Sequence, residues 1–432
     1  YSTRFFPEAG NMVSYLRDFA RAHGLEVEYG TSIQNVERTN GFSLLTTAGD
    51  RYRCRRLIVA TGLFTPNHPD TPGLHLAENY CDASTDPEDY VGQRVLVIGK
   101  GNSAFETADN LIEAAAVVHI AGPEAVQFAW KTHYVGHLRA VNNNLLDAYQ
   151  LKSQHAVLDG DVLQIEEKHG KRVVTFDFIR SSEPPAELVY DRVIVCTGFR
   201  FDDSIFSEGC RPALERDDRL PAQTSGWESS NVADMFFAGT LMQTRDYQKS
   251  TSGFVHGFRY CTRSLHRMLA NRYHEGEWPT TETGADATSL MEAVVERINR
   301  SSALWQMFGF LGDVLVVEPG GARYLEELPV DFVHEADLGQ SASYFIVTLE
   351  YGQNHDQIDP FDITVGRVAQ DDPANAADAQ YLHAVVRHFS RGQLLAEHHV
   401  AENLENEWNG PAHREPLRDF FASRLTAGRP SA

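Results

Sequence analysis

Cysteine is scarce in this chain, and what there is lies far apart. The 432 residues hold five, at positions 54, 81, 196, 210 and 261, and no two fall in a C-x-x-C spacing. A redox dithiol of that kind is therefore excluded, and an odd, scattered set reads as buried thiols in a reducing compartment such as the cytoplasm. Positive charge is short as well: 38 Lys and Arg stand against 60 Asp and Glu, a net charge of -22. Such a field repels nucleic acid and anionic membrane surfaces, so neither is expected as a partner. No apolar run is long enough to span a bilayer. The longest candidate, Leu304 to Val317, is broken by Gln306 and Asp313. A Walker loop, a nucleophile elbow and a zinc-protease helix are also missing. His398 and His399, with Glu397 and Glu402, lack a second ligand set. Adjacent histidines on a helix point to different faces, so this segment reads as a solvated helix and no metal is expected.

What the chain does have begins at Arg94. Val95, Leu96, Val97 and Ile98 form an unbroken apolar run of the kind found in a strand buried on both faces. Gly99 and Gly101 then allow a tight turn and close backbone approach to a pyrophosphate, and a helix from Asn102 would turn its positive end to that charge. Ala104, Phe105, Ala108, Leu111 and Ile112 give this helix one apolar face. Val117 to Ile120 supply the next strand. A glycine pattern placed between two such strands points to a dinucleotide site.

A second feature is repetition. Residues 26–62 read as short strands separated by turns at Gly30, Asn40-Gly41 and Gly49-Asp50, closing on Leu57-Ile58-Val59-Ala60-Thr61-Gly62. Residues 162–199 follow the same plan and close on Val193-Ile194-Val195-Cys196-Thr197-Gly198-Phe199. Two matched meanders suggest two nucleotide-binding domains, one for each of two cofactors.

These segments carry a resemblance. Arg4-Phe5-Phe6-Pro7, the stretch from Leu57 to Gly73 and the Gly-Lys-Gly-Asn-Ser-Ala turn resemble the flavin-containing monooxygenase superfamily. Asp86-Pro87-Glu88-Asp89, Gly101 to Ala108, Thr132-His133-Tyr134-Val135-Gly136 and Ser252 to Tyr260 are more similar still to the FAD-dependent oxidoreductase domain-containing protein 2 type, flavoproteins of the animal endoplasmic reticulum. The likeness runs on past Met307-Phe308-Gly309 and Glu350-Tyr351-Gly352. It implies an α/β fold with two Rossmann-like dinucleotide-binding domains, the second inserted in the first, and a C-terminal α+β extension. The FAD domain would comprise residues 1–82 and 199–270, and the NAD(P) domain 83–198. A polar linker through Glu275-Gly276-Glu277 and Thr280 to Thr288 would lead to the extension, 289–432, with strands at 313–317 and 343–350. Members of the family open with a further glycine turn that this chain lacks, so about one hundred residues, a few β-α units, are expected upstream of Tyr1.

The same resemblance implies the sites. FAD would be met by Ile33, by Ala60, Thr61 and Gly62, by Gly239 and Thr240, and by Phe254 and Val255 at the start of a helix. Gly99, Gly101, Asn102, Ser103 and Ala104 would line the nicotinamide cofactor's pyrophosphate, with Thr197 and Gly198 closing that cleft. The Arg that usually follows the second strand, to pair with the 2′-phosphate of NADPH, is replaced by Ala121-Gly122-Pro123. Ala104 leans towards NADPH, Lys131 and Arg139 are the alternative cations, and NADH stays open.

Thr71-Pro72-Gly73 through Ser84 carries Cys81 and Asp82 where Baeyer–Villiger enzymes have a His, which argues against that reaction. The expected function is an FAD-dependent, NAD(P)H-using monooxygenase that moves one oxygen atom from a flavin peroxide to a small, amine-like nucleophile. The partners would be that substrate and oxygen, and the extension offers a surface for a homodimer. Two alternatives stay open. One is a flavin reductase or oxidase without oxygen transfer; the other is a flavoprotein of the endoplasmic-reticulum lumen that assists protein quality control. No side chain stands out as a catalytic acid or base.

Overall fold

The computed structural model describes residues 1–4, 7–151, 154–274, 276–341 and 343–427. Phe5 and Phe6 of the resemblance, Glu275 of the expected linker and the last residues, 428–432, lie outside them. The chain divides into two compact units, Tyr1–Leu57 with Asp203–Arg211, and Ile58–Asp202 with Pro212–Ala432.

The first unit holds helix α1 (Ala9–Ala22) and an antiparallel sheet in the order β1 (Ile33–Thr39), β2 (Gly41–Thr46), β3 (Arg51–Cys54). Gly41 makes the tight β1–β2 reversal: its φ is +102°, and a β-carbon there would lie 2.4 Å from the Cys54 carbonyl oxygen. Val36 and Phe42 are buried, and the segment 203–211 closes over them through a Val36–Phe206 bridge. The expected meander is present, but α1 buries none of its residues within this unit.

The second unit begins within β4 (Leu57–Val59), which pairs with a strand far along the chain, followed by β5 (Thr65–Pro66) and β6 (Glu78–Asn79). Its main sheet is built on β7 (Arg94–Ile98), helix α2 (Asn102–Leu111) and β8 (Val117–Gly122). Short helices α3 (Ala129–Thr132) and α4 (Asn144–Gln150) lead to a meander of β9 (Ala156–Lys168), β10 (Lys171–Phe178) and β11 (Ala186–Tyr190), and then to β12 (Arg192–Val195). The strand order is β11-β10-β9-β8-β7-β12-β6, parallel from β9 to β6 and antiparallel across the meander.

Alternation along β7 explains its uninterrupted apolar run. Val95 and Val97 face Ala104, Phe105, Ala108 and Leu111 of α2. Leu96 and Ile98 face Ile165, Val174, Phe176 and Tyr190 of the meander, which folds back over the other side of the sheet. Burying each such side chain stabilises the fold by about 1.5–3 kcal/mol.

Between this sheet and the extension run the small pairs β13 (Phe199–Arg200) with β5 and β14 (Leu214–Glu215) with β15 (Leu220–Pro221). There follow β16 (Met235–Phe237), paired with β4, and the long helix α5 (Val255–His274).

The extension holds more than the two strands read from sequence. Its antiparallel sheet runs β17 (Thr280–Thr283), β19 (Gly321–Pro329), β18 (Leu311–Glu318), β20 (Tyr344–Glu350), β21 (His383–Ser390), β22 (Gln393–His399). Residues 280–288, read as polar linker, are instead edge strand β17 and the start of α6 (Ala287–Arg300), which Asp286 caps through the amides of Thr288 and Ser289. One sheet face packs on α6 and α9 (Pro411–Ala427), and the other on α8 (Val330–Glu335). The short helix α7 (Ser302–Gln306) joins α6 to the sheet.

Asp313, fully buried in β18, accepts from Arg297 Nε at 2.8 Å, Tyr324 at 3.1 Å and the Glu327 amide at 2.8 Å. Glu327 in turn accepts from Arg263 Nε at 2.8 Å and pairs with Arg267, both on α5. This charged network ties the extension to the helix expected to face the flavin.

The solvated helix read at 397–402 is corrected: His398 and His399 lie on β22. His398 stacks on Phe420, and His399 bonds His383 and Glu397. No described helix is long and apolar enough to cross a membrane.

Candidate functional site

The turn after β7 is built by two glycines that do different work. Gly99 has φ +125°, and a β-carbon there would lie 2.3 Å from the Cys196 carbonyl oxygen. Its amide donates to Ala121 at 2.8 Å, while the Cys196 amide donates to Ile98 at 2.7 Å, so the turn is clamped between β8 and β12. Only glycine fits both the conformation and the contact. Gly101, in contrast, has ordinary backbone geometry and caps α2, and a β-carbon on it would meet nothing within 4 Å. That open side, at a helix N-terminus, is room for a pyrophosphate. The arrangement fits a dinucleotide.

Ala104 is buried against the sheet, where its small side chain lets α2 come close. Ser103 shares a narrow cleft with Tyr80, Cys81, Cys196, Thr197 and Gly198, so the structure brings the two expected cofactor segments together. Thr197 spends its hydroxyl on the Asn67 carbonyl, and Gly198 accepts from the Asn67 amide at 2.9 Å. Asn102 is also committed: its amide donates to Gly136 and His137 and accepts from Arg139 and Asn142. Its side chain therefore orders the loop over the turn, which leaves its backbone amide as the group available to a cofactor.

The residues expected at the flavin assemble separately. The Ala238 amide donates to Val59 at 3.0 Å, which sets Gly239 and Thr240 beside Ala60, Thr61 and Gly62. A β-carbon on Gly62 would lie 3.6 Å from Thr240 Cγ2, whereas one on Gly239 would meet nothing within 4 Å. Thr240 donates to the Gly253 carbonyl at 2.8 Å, and the next residues, Phe254 and Val255, open α5. Small residues and a helix start thus line one open side, which fits a flavin approached by backbone. Ile33 belongs to the first unit, where it begins β1 opposite Thr46.

Around these clusters lie groups with shifted acidities. Tyr134, whose ring meets Phe254 at 6.0 Å, is pushed up to about 12 by burial, with Tyr247 and Asp246 adding to the shift and Arg219 opposing it. Asp246 is buried and sits at about 6: desolvation raises it, and the hydrogen bonds from Ser250 and Ser252 only partly offset that. His133 stacks on Tyr351 at 4.5 Å, which carries the extension up to this region.

Arg219 was not foreseen. Its guanidinium lies under Gly198 and donates to Phe199, but Asp217-Asp218-Arg219-Leu220 reads as an ordinary turn. The thiols also depart from expectation. Cys196, Cys210 and Cys261 are buried, but Cys54 is half-buried and Cys81 exposed.

The family described as pyridine nucleotide-disulphide oxidoreductase matches residues 2–239. The chain is 36% identical to FAD-dependent oxidoreductase domain-containing protein 2 of Mus musculus, over 98% of this chain and 71% of that protein. In fold it is similar to the bacillithiol disulfide reductase Bdr (YpdA) from Bacillus cereus, with a TM-score of 0.51 at 20% identity over 63% of this chain and 80% of that one. It is also similar to a flavin-containing monooxygenase from Stenotrophomonas maltophilia, with a TM-score of 0.50 at 19% identity over 63% of this chain and 79% of that one. The clamped glycine turn, the second open cluster and these likenesses agree: the chain belongs to the pyridine nucleotide-disulphide oxidoreductase family of flavin-dependent oxidoreductases.

Proposed function

We propose that this oxidoreductase is a monooxygenase that uses NADPH and oxygen to oxidise a small, nucleophilic, amine-like substrate. Bound FAD would supply the redox chemistry, taking hydride from the nicotinamide and passing the electrons to oxygen. The chain's own residues position, enclose and move protons. Gly99 and Gly101 would hold the nicotinamide cofactor, and Ala60 to Gly62, Gly239, Thr240 and the start of α5 would hold the flavin. Tyr134, Phe254 and His133 would wall the space above, with Tyr351 of the extension stacked behind His133, and such a wall limits water. Asp246 is the acid here whose protonation changes near neutrality, so it is the group suited to take up or release a proton close to that wall.

The observation that carries the reading is the state of the thiols. A disulfide reductase passes electrons on through a reactive thiolate. Here all five cysteines are free. Two thiols line the cofactor cleft, Cys81, which is exposed, and Cys196, which burial pushes up to about 12; Cys261, buried on α5, is raised as well. A thiol held protonated by burial, as Cys196 is, makes a poor relay, which favours oxygen as the acceptor of the flavin's electrons.

The test is to supply the flavin-loaded protein with NADPH, oxygen and a panel of small amines and sulfides. A substrate that speeds NADPH consumption and gains one oxygen atom, with little hydrogen peroxide, supports the proposal. NADPH consumption matched by hydrogen peroxide for every compound would make the protein an oxidase or reductase.

A further inference from the structure

The ribose 2′ position of a bound dinucleotide falls at the C-terminal end of the second strand of such a unit, here β8. The sequence offers no charge there, since β8 closes on Ala121 and Gly122 and Pro123 follows. Lys131 lies on α3, and the Arg139 amide is tied to Asn102 while its charge faces His256.

The structure delivers a cation from another direction. Lys100, between the two turn glycines, folds its side chain across Gly122. A β-carbon on Gly122 would lie 3.5 Å from Lys100 Cγ and 3.7 Å from Cδ. The absence of a side chain at Gly122 is thus what lets Lys100 lie over the strand end. Its ammonium donates to Asp159 Oδ1 at 2.5 Å, and Asp159 is the β9 residue paired with Gly122 in parallel register. Arg180, just after β10, brings Nε to 3.3 Å from the other oxygen, Oδ2.

The Lys100 side chain is only 5% exposed, enclosed by the strand ends, whereas that of Arg180 is 79% exposed and reaches Asp159 from the solvent side. Two cations share one carboxylate, so the cluster carries one net positive charge. Both oxygens of Asp159 are engaged, which leaves it poorly placed to accept from a ribose diol, the usual mark of an NADH site.

We propose that Lys100 and Arg180, positioned by Asp159, form the site for the 2′-phosphate of NADPH. The inference rests on the dinucleotide reading of the 99–101 turn and assigns its coenzyme preference. A phosphate dianion would take hydrogen bonds from both cations, Lys100 as an enclosed point charge and Arg180 from the solvent side. Asp159 acts through them and touches no substrate.

The test is calorimetric titration of the flavin-loaded protein with adenosine 2′,5′-bisphosphate and with AMP. The variants are Lys100→Ala, Arg180→Ala and Lys100→Arg. The native protein should bind the bisphosphate at least about tenfold more tightly, as a charge-assisted contact implies. Lys100→Ala should remove most of that preference and leave AMP binding within about threefold, because Asp159 is released towards the ribose. Arg180→Ala, at an exposed position that leaves folding intact, should lose a smaller part, and Lys100→Arg should keep the preference. Equal weakening of both ligands by Lys100→Ala would overturn the proposal and make Lys100 a support of the turn. A native preference for AMP would overturn it too. If neither ligand binds the folded native protein, the dinucleotide reading itself falls with it.

Discussion

Gly99 and Cys196 meet backbone to backbone at the mouth of the parallel sheet, with room for no atom beyond Cα on the glycine. The contact joins the end of β7 to the end of β12, and so joins the two segments expected to hold one cofactor.

Gly99 and Gly101 should therefore respond differently to the same change. Gly99→Ala forces a β-carbon into the Cys196 carbonyl at a positive φ and should cost on the order of 2 kcal/mol or more in denaturant unfolding. Gly101→Ala adds its methyl to open space and should leave stability within about 0.5 kcal/mol. The same methyl occupies the room for a pyrophosphate, so dinucleotide binding should weaken by about tenfold or more. Equal stability loss in both variants would contradict this division of work.

Asp246 makes stability depend on pH. The folded protein holds its carboxyl at about 6, above the ordinary 3.8, because burial disfavours the charge. The folded state therefore binds the extra proton, and stability falls as pH rises from about 4 to about 6. Asp246→Asn keeps an acceptor for Ser250 and removes that slope. Its unfolding free energy should gain on the native protein's at pH 8 relative to pH 4, by a difference on the order of 2 kcal/mol. A constant offset across that range would show that Asp246 does not titrate there.

His398 acts at the acid end with the opposite sign. Burial, with His399 beside it, lowers it from 6.5 to about 4, and its Nε2 has no hydrogen-bond partner among the described residues. The unfolded chain takes up the proton first, so stability is lost as pH falls from about 6.5 towards 4. His398→Phe preserves the stack on Phe420 and should flatten this loss, raising acid stability by about 2 kcal/mol at pH 4.5 against pH 7.5. Parallel acid-unfolding curves for the two proteins would refute the assignment.

Arg297 compensates the buried charge of Asp313. Arg297→Met should destabilise the protein by about 3–5 kcal/mol, because the carboxylate stays buried without its cation. Adding Asp313→Leu should recover part of that loss, which a double-mutant cycle would read as coupling. Strictly additive losses would mean that the two residues do not interact.

Much of this architecture is legible in the sequence. The β7-turn-α2-β8 unit was legible because a doubly buried strand leaves a solid apolar run and a helix leaves a periodic one. The extension was less legible. β22 has the sequence Gln393-Leu394-Leu395-Ala396-Glu397-His398-His399, whose hydrophobic pattern does not alternate cleanly and so resembles a helix. The hairpin signal lay just before it, at Arg391-Gly392, where both residues take positive φ. Lys100, Asp159 and Arg180 were beyond reach for another reason: they meet only through the register of β8 with β9, which no local pattern reports. The acidity of Asp246 depends on burial that the whole fold creates, which no local pattern reports.

The most direct test of the account is to titrate the flavin-loaded protein with NADPH in the absence of oxygen and follow the flavin absorbance. The yellow absorbance should bleach with one equivalent of NADPH per flavin. Gly101→Ala, still folded and still yellow, should bleach far more slowly. A protein that binds no flavin, or whose flavin keeps its colour under excess NADPH and NADH, would contradict the claim that this chain brings the two cofactors together.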